Sequence, residues 1–135
     1  MFLSLLNRKE KLKFLDLAIY MIDIDGEPNA VEKRLLQLML AELGSIAGEY
    51  SFEKTLTVEE TIDFFTCTNQ VVKNIVFLNL VKITMTDDLY NTSEHLFLEA
   101  IQDKFFIDME KRRELMSIIY AERDLRERAR RAIEA

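Results

Sequence analysis

Carboxylates concentrate at two points of this 135-residue chain, and they are the side chains best suited to chemistry. Hard divalent cations such as calcium are bound in proteins by oxygen ligands of this kind. The candidate ligands are Asp23, Asp25, Glu27 and Glu32 in the first group, and Asp87, Asp88 and Glu94 in the second. Two weak cation sites are therefore predicted, with dissociation constants on the order of 10⁻⁴–10⁻³ M because each site has few ligands.

The same residues also have a structural interpretation, as parts of helix ends. Asn29 and Glu32 have the spacing of a capping box, in which each side chain satisfies a backbone N–H of the other, and segment 91–94 repeats it. Asp25 and Asp87 fit the structural interpretation less well, because a carboxylate at the C-terminal end of a helix is repelled by the negative end of the helix dipole. A cation, or the N-terminus of the next helix, would relieve that repulsion. Both interpretations stay open.

No catalytic centre is predicted from the remaining reactive residues. His95 is the only histidine and is interpreted as a surface residue, with ligation beside Glu99 as the alternative. An EF-hand loop is not expected, because its first ligand position would fall on Met21. Cys67 is the only cysteine, so no disulfide or Cys-based zinc site can form within the chain, and it is interpreted as a small buried hydrophobe. A small metal-dependent hydrolase that uses the acidic turns and His95 is the rival hypothesis.

Charge and hydropathy limit the kinds of partner and compartment. The formal charge of −6 repels a phosphate backbone, so nucleic-acid binding is not expected. No window approaches the ~20 apolar residues of a transmembrane helix, and the apolar stretch 1–6 is too short for a signal peptide. A cytoplasmic location is expected. Packing of Phe2, Leu3 and Leu6 onto the domain is favoured over a membrane anchor at residues 1–13.

Helical periodicity defines the elements that must position the acidic groups. Apolar residues from Leu12 to Ile22 step by three and four, which predicts a helix that stops near Asp25-Gly26. A second helix is predicted from the cap at Asn29 to Gly44. The segment 71–85 is apolar almost all round, and its length favours a buried central helix over a strand.

The rest of the chain is also predicted to be helical, apart from an unspecified connection over 45–57. Thr57-Val58-Glu59-Glu60 is a capping box that opens a shorter helix, and the box at 91–94 opens another. Asp108 can cap a C-terminal helix over 109–133. The expected architecture is one all-α domain over 1–135, a compact bundle of about six or seven helices.

An internal repeat relates the two acidic groups. Asp25, Asn29 and Glu32 recur as Asp87, Asn91 and Glu94 at a constant offset of 62, and apolar positions on either side also match. Matching caps between matching apolar faces predict two copies of one helical hairpin, roughly 10–44 and 70–106, docked with pseudo-twofold symmetry.

The repeated arrangement resembles the tellurite-resistance TerB-like domain family. The likeness rests on an apolar helix, an Asp-Gly turn and a Glu seven residues later that opens a Leu-rich helix. The N-terminal domain of a membrane-bound DnaJ-like co-chaperone is similar. The resemblance implies a duplicated bundle of about seven helices, a role in metal or chemical-stress responses, and acidic surfaces that bind divalent cations. The second copy departs from the pattern, since Asp88 stands where glycine is usual.

A non-enzymatic interaction or sensor module is therefore the leading hypothesis, with a protein partner expected and a homo-oligomer left open. The C-terminal helix is expected to offer a docking surface. Its basic residues could contact RNA, an acidic protein or an anionic lipid, whereas its interleaved acids favour a solvated helix. Ion pairs four residues apart are predicted for Glu122–Arg126, Asp124–Arg128 and Glu127–Arg131.

Overall fold

The computed structural model describes residues 1–24, 29–50, 57–85 and 92–135, and every regular element within them is helical. A short 3₁₀ turn at Leu3–Leu5 and a 3₁₀ segment at Gly44–Glu49 accompany six α-helices in these ranges. The helices are α1 (Arg8–Asp23), α2 (Ala30–Leu43), α3 (Val58–Thr66), α4 (Gln70–Met85), α5 (Thr92–Lys104) and α6 (Met109–Glu134). The all-α bundle predicted from periodicity is confirmed.

Polar side chains cap the N-termini of most of these helices. Asn29 and Glu32 form the predicted capping box, and Asp108 accepts a hydrogen bond from the backbone N–H of Lys111 at 2.7 Å. At the predicted box of α3, Thr57 accepts from the backbone N–H of Glu60 at 3.2 Å. These side chains satisfy N–H groups that a helix start would otherwise leave unpaired.

Helix α1 begins earlier than its apolar pattern indicates. Asn7 and Glu10 form a complete capping box at 2.8 Å in both directions, so the helix starts at Arg8 rather than near Leu12. A run of basic residues hides this start from a hydropathy pattern, although the Asn-to-Glu spacing is the same as at Asn29.

Helix α4 is the centre of the bundle. Eleven of its sixteen residues are buried, and it packs against α1, α3, α5 and α6. Segment 71–85 is therefore a buried helix, as predicted, and not a strand. Its apolar surface serves neighbours on several sides, which is why no single apolar stripe is visible in its sequence.

Helix boundaries and burial repeat at the predicted offset. Helix α1 spans 8–23 and α4 spans 70–85, while α2 begins at 30 and α5 at 92. Every buried residue of α1 and α2 has a buried counterpart 62 positions later, for example Phe14 with Val76 and Met39 with Ile101. A duplicated hairpin would produce this pattern, but the bends at 25–28 and 86–91 lie outside the described residues, so the duplication stays a prediction.

The predicted packing of the first residues is wrong for Phe2, and at the other end of the chain only part of α6 packs on the bundle. Leu3 and Leu6 are buried as expected, but Phe2 is 60% exposed because the tight turn that brings Met1 onto the bundle leaves its ring outside. In α6, Leu115 and Ile119 are buried, whereas Leu125 and Ile133 are exposed since the helix continues past the bundle. None of the described helices combines the length and hydropathy needed to cross a membrane.

Candidate functional site

The described residues of the first acidic group lie on two different helices. Asp23 is the last residue of α1 and is exposed, while Glu32 is the third residue of α2 and is buried. Glu32 Oε1 accepts a hydrogen bond from the backbone N–H of Asn29 at 3.2 Å, so its carboxylate has the capping role. Asp25 and Glu27 lie outside the described residues.

The second acidic group is described only at Glu94. This residue is third in α5, as Glu32 is in α2, and it is also buried. Asp87 and Asp88 lie outside the described residues, as does the predicted cap Asn91. Among the residues that the structure describes, no three His, Cys, Asp or Glu side chains come together as a metal site would require. The two cation sites therefore stay predictions.

His95 and Cys67 both lie at the surface. The imidazole Nε2 of His95 is 2.9 Å from Glu99 Oε1, an i,i+4 pair in which both side chains are partly solvated. Cys67 follows the last residue of α3 and is exposed, so its interpretation as a buried hydrophobe is wrong. Its neighbour Phe65 occupies the core instead, because the chain turns away from α3 at this point.

An open groove runs between α2 and α6, with the end of α4 at its base. Helix α6 packs on α4 and has little direct contact with α2, which leaves the two flanking helices apart. Two cavities of about 330 Å³ and 590 Å³ share Val31 and Arg126 and form this continuous groove. We call it the α2–α6 groove; it is lined by Ala30, Val31, Arg34 and Leu38 of α2, Lys82 and Met85 of α4, and Ile119, Glu122, Arg123 and Arg126 of α6.

Apolar and cationic side chains alternate along the α2 wall of the groove. Val31 and Leu38 are 51% and 54% exposed and lie two helical turns apart on one face, with Arg34 between them. On the α6 wall, Glu122 pairs with Lys82 at 2.8 Å and with Arg126 at 3.0 Å. Among the residues that the structure describes, the groove lining carries four cations and one carboxylate, in a chain whose net charge is −6.

The α2 side of this groove was not anticipated from the sequence. The apolar residues of α2 between 31 and 43 cover more than one face of the helix, although the buried ones, Leu35, Met39 and Leu43, follow a single stripe. Val31 and Leu38 lie outside that stripe and could have indicated a second apolar face on α2. A helix that packs on only one side needs a single apolar stripe.

Polar side chains of α2 and α4 bind the N-terminal residue, Met1. The ammonium group of Met1 donates to Glu42 Oε2 at 3.1 Å and to Asn79 Oδ1 at 2.8 Å, and Asn79 Nδ2 donates to the carbonyl of Met1 at 2.8 Å. Asn79 is fully buried in the apolar helix α4, so Met1 satisfies an amide that would otherwise be costly to bury. This site is occupied by the chain itself.

One tyrosine has a strongly perturbed titration. The hydroxyl of Tyr50 donates to Asp16 Oδ1 at 2.5 Å, linking the end of the 3₁₀ segment to α1. Burial raises the pKa of Tyr50 far above its usual value, and the hydrogen bond and charge of Asp16 raise it further. The contact joins residues 34 positions apart in the chain and is therefore a structural clamp.

Comparison of the chain with family models, with curated protein sequences and with solved structures finds no match.

Proposed function

We propose that this chain is a non-enzymatic interaction or sensor module of the TerB-like kind, whose docking surface is the α2–α6 groove. The observation that carries the proposal is the groove itself, where half-exposed Val31 and Leu38 face a cationic helix. Exposed apolar side chains grouped in a concave, charged setting are typical of a binding surface rather than of a solvated helix face.

Site-specific photo-cross-linking in cells that express the protein tests this function. A photoreactive residue in place of Leu38 should give a discrete adduct with a partner protein. The same residue in place of Arg113, which is exposed on α6 and does not line the groove, serves as the control. Absence of any adduct at Leu38, or the same adducts at both positions, would contradict the proposal.

The sensor part of the proposal concerns the acidic turns. Asp23, Asp25, Glu27 and Glu32 would form one weak site for a divalent cation such as calcium, and Asp87, Asp88 and Glu94 the other. The repeated Asp–Asn–Glu spacing at an offset of 62 supports treating the two as equivalent. Because Glu32 already caps α2, it would have to share its carboxylate between Asn29 and the cation.

Calcium or manganese titration followed by backbone NMR tests the sensor part separately. Chemical-shift changes confined to residues 23–32 and 87–94 would support the sites. Asp25→Asn should then abolish the response of the first turn and leave the second unchanged. No response up to several millimolar cation would remove the cation sites, and the interaction function would still stand on its own test.

A further inference from the structure

The shape of the α2–α6 groove suits a bound helix better than a flat binding surface. Two helices form its walls and α4 forms its base, and its combined cavities are large enough to receive several side chains. An amphipathic helix that binds in such a groove places apolar residues spaced by three, four or seven positions against it. Val31 and Leu38 offer contacts with this seven-residue spacing along the α2 wall.

The charge of the groove lining indicates which charge a bound segment should carry. Arg34 is exposed on α2 and forms no ion pair with the residues that the structure describes. Arg126 lies across from it, 70% exposed even though it pairs with Glu122. Two solvated guanidinium groups that line one cavity together with apolar side chains attract carboxylates, which each of them can bind with two parallel hydrogen bonds.

We infer that the groove binds an acidic amphipathic helix of a partner protein; this assignment of a partner class rests on the proposed interaction function. The apolar face of the partner lies on Val31 and Leu38, and its Glu or Asp side chains flank that face to meet Arg34 and Arg126. In a protein with a net charge of −6, the cations of the groove lining give an acidic segment a local attraction that the average surface does not.

A flat anionic membrane fits these observations less well than a helix does. The exposed apolar residues line an open groove between two helices, and a groove fits a rod-shaped segment more closely than it fits a planar bilayer. A membrane-binding helix would instead present its apolar stripe on a convex outer face.

Selection from a displayed library of random peptides tests the assignment. Peptides of about sixteen residues, roughly four helical turns, are selected on the full chain, and the enriched peptides are measured by fluorescence anisotropy. We expect enriched sequences to be acidic with apolar residues on one helical face. Their affinity should fall as salt is raised, because the pairs are solvent-exposed.

Charge-reversed variants locate the binding. Arg34→Glu with Arg126→Glu should weaken the peptides about tenfold or more, because two attractive contacts become repulsive. The matched control is Arg113→Glu with Arg128→Glu, which makes the same charge change at exposed α6 positions outside the groove lining and should leave affinity within about twofold. Leu38→Ala should weaken binding without changing its salt dependence, since that contact is apolar.

Each other outcome would overturn the assignment. Enrichment of basic or uncharged peptides, no enrichment at all, or acidic peptides that bind both double variants equally would each contradict it. Binding of phosphatidylglycerol vesicles that depends on Arg34 and Arg126, without peptide enrichment, would assign the groove to an anionic membrane instead. Cross-linking at Leu38 decides the interaction function independently, so a failure of the acidic-helix assignment is distinguishable from a failure of that function.

Discussion

Two residues at matched positions after α2 and α5 have left-handed backbone, and one of them is not glycine. Gly44 has φ +80° and Phe106, 62 positions later, has φ +56°. After α5, Phe106 N–H bonds to Asp103 and Ile107 N–H to Gln102, which is the Schellman arrangement where glycine is usual. The Phe106 ring, 76% exposed, lies 5.3 Å from the ammonium of Lys73. A cation–π contact thus compensates part of the backbone strain.

Glycine should be more stable than alanine at both Phe106 and Gly44, because both positions have positive φ. Phe106→Gly is expected to be about 1 kcal/mol more stable than Phe106→Ala, because both lose the ring but only glycine adopts positive φ without strain. Gly44→Ala should cost about 1–2 kcal/mol for the same reason. Urea denaturation measures all three free energies of unfolding.

Gly48 provides the control for this comparison. It lacks a positive φ, and a Cβ there would meet no atom within 4 Å, so Gly48→Ala should be neutral or slightly stabilising. If the Phe106→Ala protein were at least as stable as the Phe106→Gly protein, positive φ at this position would not be a source of strain.

Tyr50 makes the protein's stability sensitive to alkaline pH. Its pKa in the folded state is raised above the value of 10 for an ordinary tyrosine, chiefly by burial and then by Asp16. A group with a raised folded pKa contributes stability that is fully present below the unfolded pKa and is lost as pH rises above it. The contribution of Tyr50 should therefore decline from about pH 10 upward.

Tyr50→Phe tests this dependence. Near pH 7 the substitution should cost about 1 kcal/mol, because it removes a partly solvated hydrogen bond to a charged acceptor. The difference in free energy of unfolding between the two proteins should then shrink above pH 10, as measured by denaturation at a series of pH values. Tyr120→Phe removes a phenol from an exposed face of α6 and is the control. A difference that is constant with pH would contradict the argument.

At the scale of elements, capping residues determine where the helices begin. The Asn-to-Glu spacing at Asn7–Glu10 and Asn29–Glu32 is visible in the sequence, and both pairs form complete boxes. Asn69 also caps α4, accepting from the backbone N–H of Val72 at 2.9 Å, and it stands 62 positions after Asn7. These starts depend on contacts within one turn of helix, so they are predictable from local sequence.

The docking of the first residues is an element-scale feature that local sequence does not reveal. Glu42 of α2 accepts from both the ammonium of Met1 and the backbone N–H of Leu3, while Asn79 of α4 holds Met1 at two points. Residues 41 and 78 positions away from Met1 meet it only because α2 and α4 are neighbours of the 3₁₀ turn.

Adding Gly-Ser ahead of Met1 should lower the free energy of unfolding by about 2 kcal/mol, since the hydrogen bonds of a charged ammonium group are lost. In an Asn79→Leu background, the same extension should cost clearly less, because one of its two partners is already gone. The original protein, the extended protein, Asn79→Leu and the extended Asn79→Leu protein form a double-mutant cycle, and thermal and urea denaturation measure their free energies of unfolding. An equal penalty in both backgrounds would show that the Met1–Asn79 contact contributes little.

At the scale of the whole molecule, α6 divides into a packed half and a projecting half. Arg112, Leu115 and Ile119 are buried in the first half, whereas every residue from 128 to 135 is exposed. Two of the three predicted ion pairs are present, Arg126–Glu122 at 3.0 Å and Arg131–Glu127 at 3.2 Å, and Arg130 adds contacts to Glu127 and Glu134 at 2.6 Å. These pairs support a helix that has no packing partner in the described structure.

Deletion of residues 129–135 should leave the free energy of unfolding within about 0.5 kcal/mol of the full chain, because surface ion pairs contribute little. Far-UV circular dichroism should show a loss of helix proportional to the residues removed. A loss of about 2 kcal/mol or more would contradict this, and a concentration-dependent loss would indicate that the segment packs in a homo-oligomer.

The sequence by itself determined the helical class, most helix boundaries and the buried character of α4. These follow from apolar periodicity and from caps such as Asn29–Glu32, whose physics involves residues only three or four positions apart. The repeat at an offset of 62 and the two acidic groups are likewise visible in the sequence, and the cation sites proposed there remain predictions.

Only the tertiary structure decided which apolar residues stay at the surface. Leu35 and Leu38 look alike in sequence, yet one is buried and the other is half exposed in the α2–α6 groove. Cys67 and Phe2 stand among apolar neighbours and are exposed, while the polar Asn79 is fully buried because Met1 reaches it. Burial depends on which helices become neighbours across long separations in the chain, and the pattern of one helix does not contain that information.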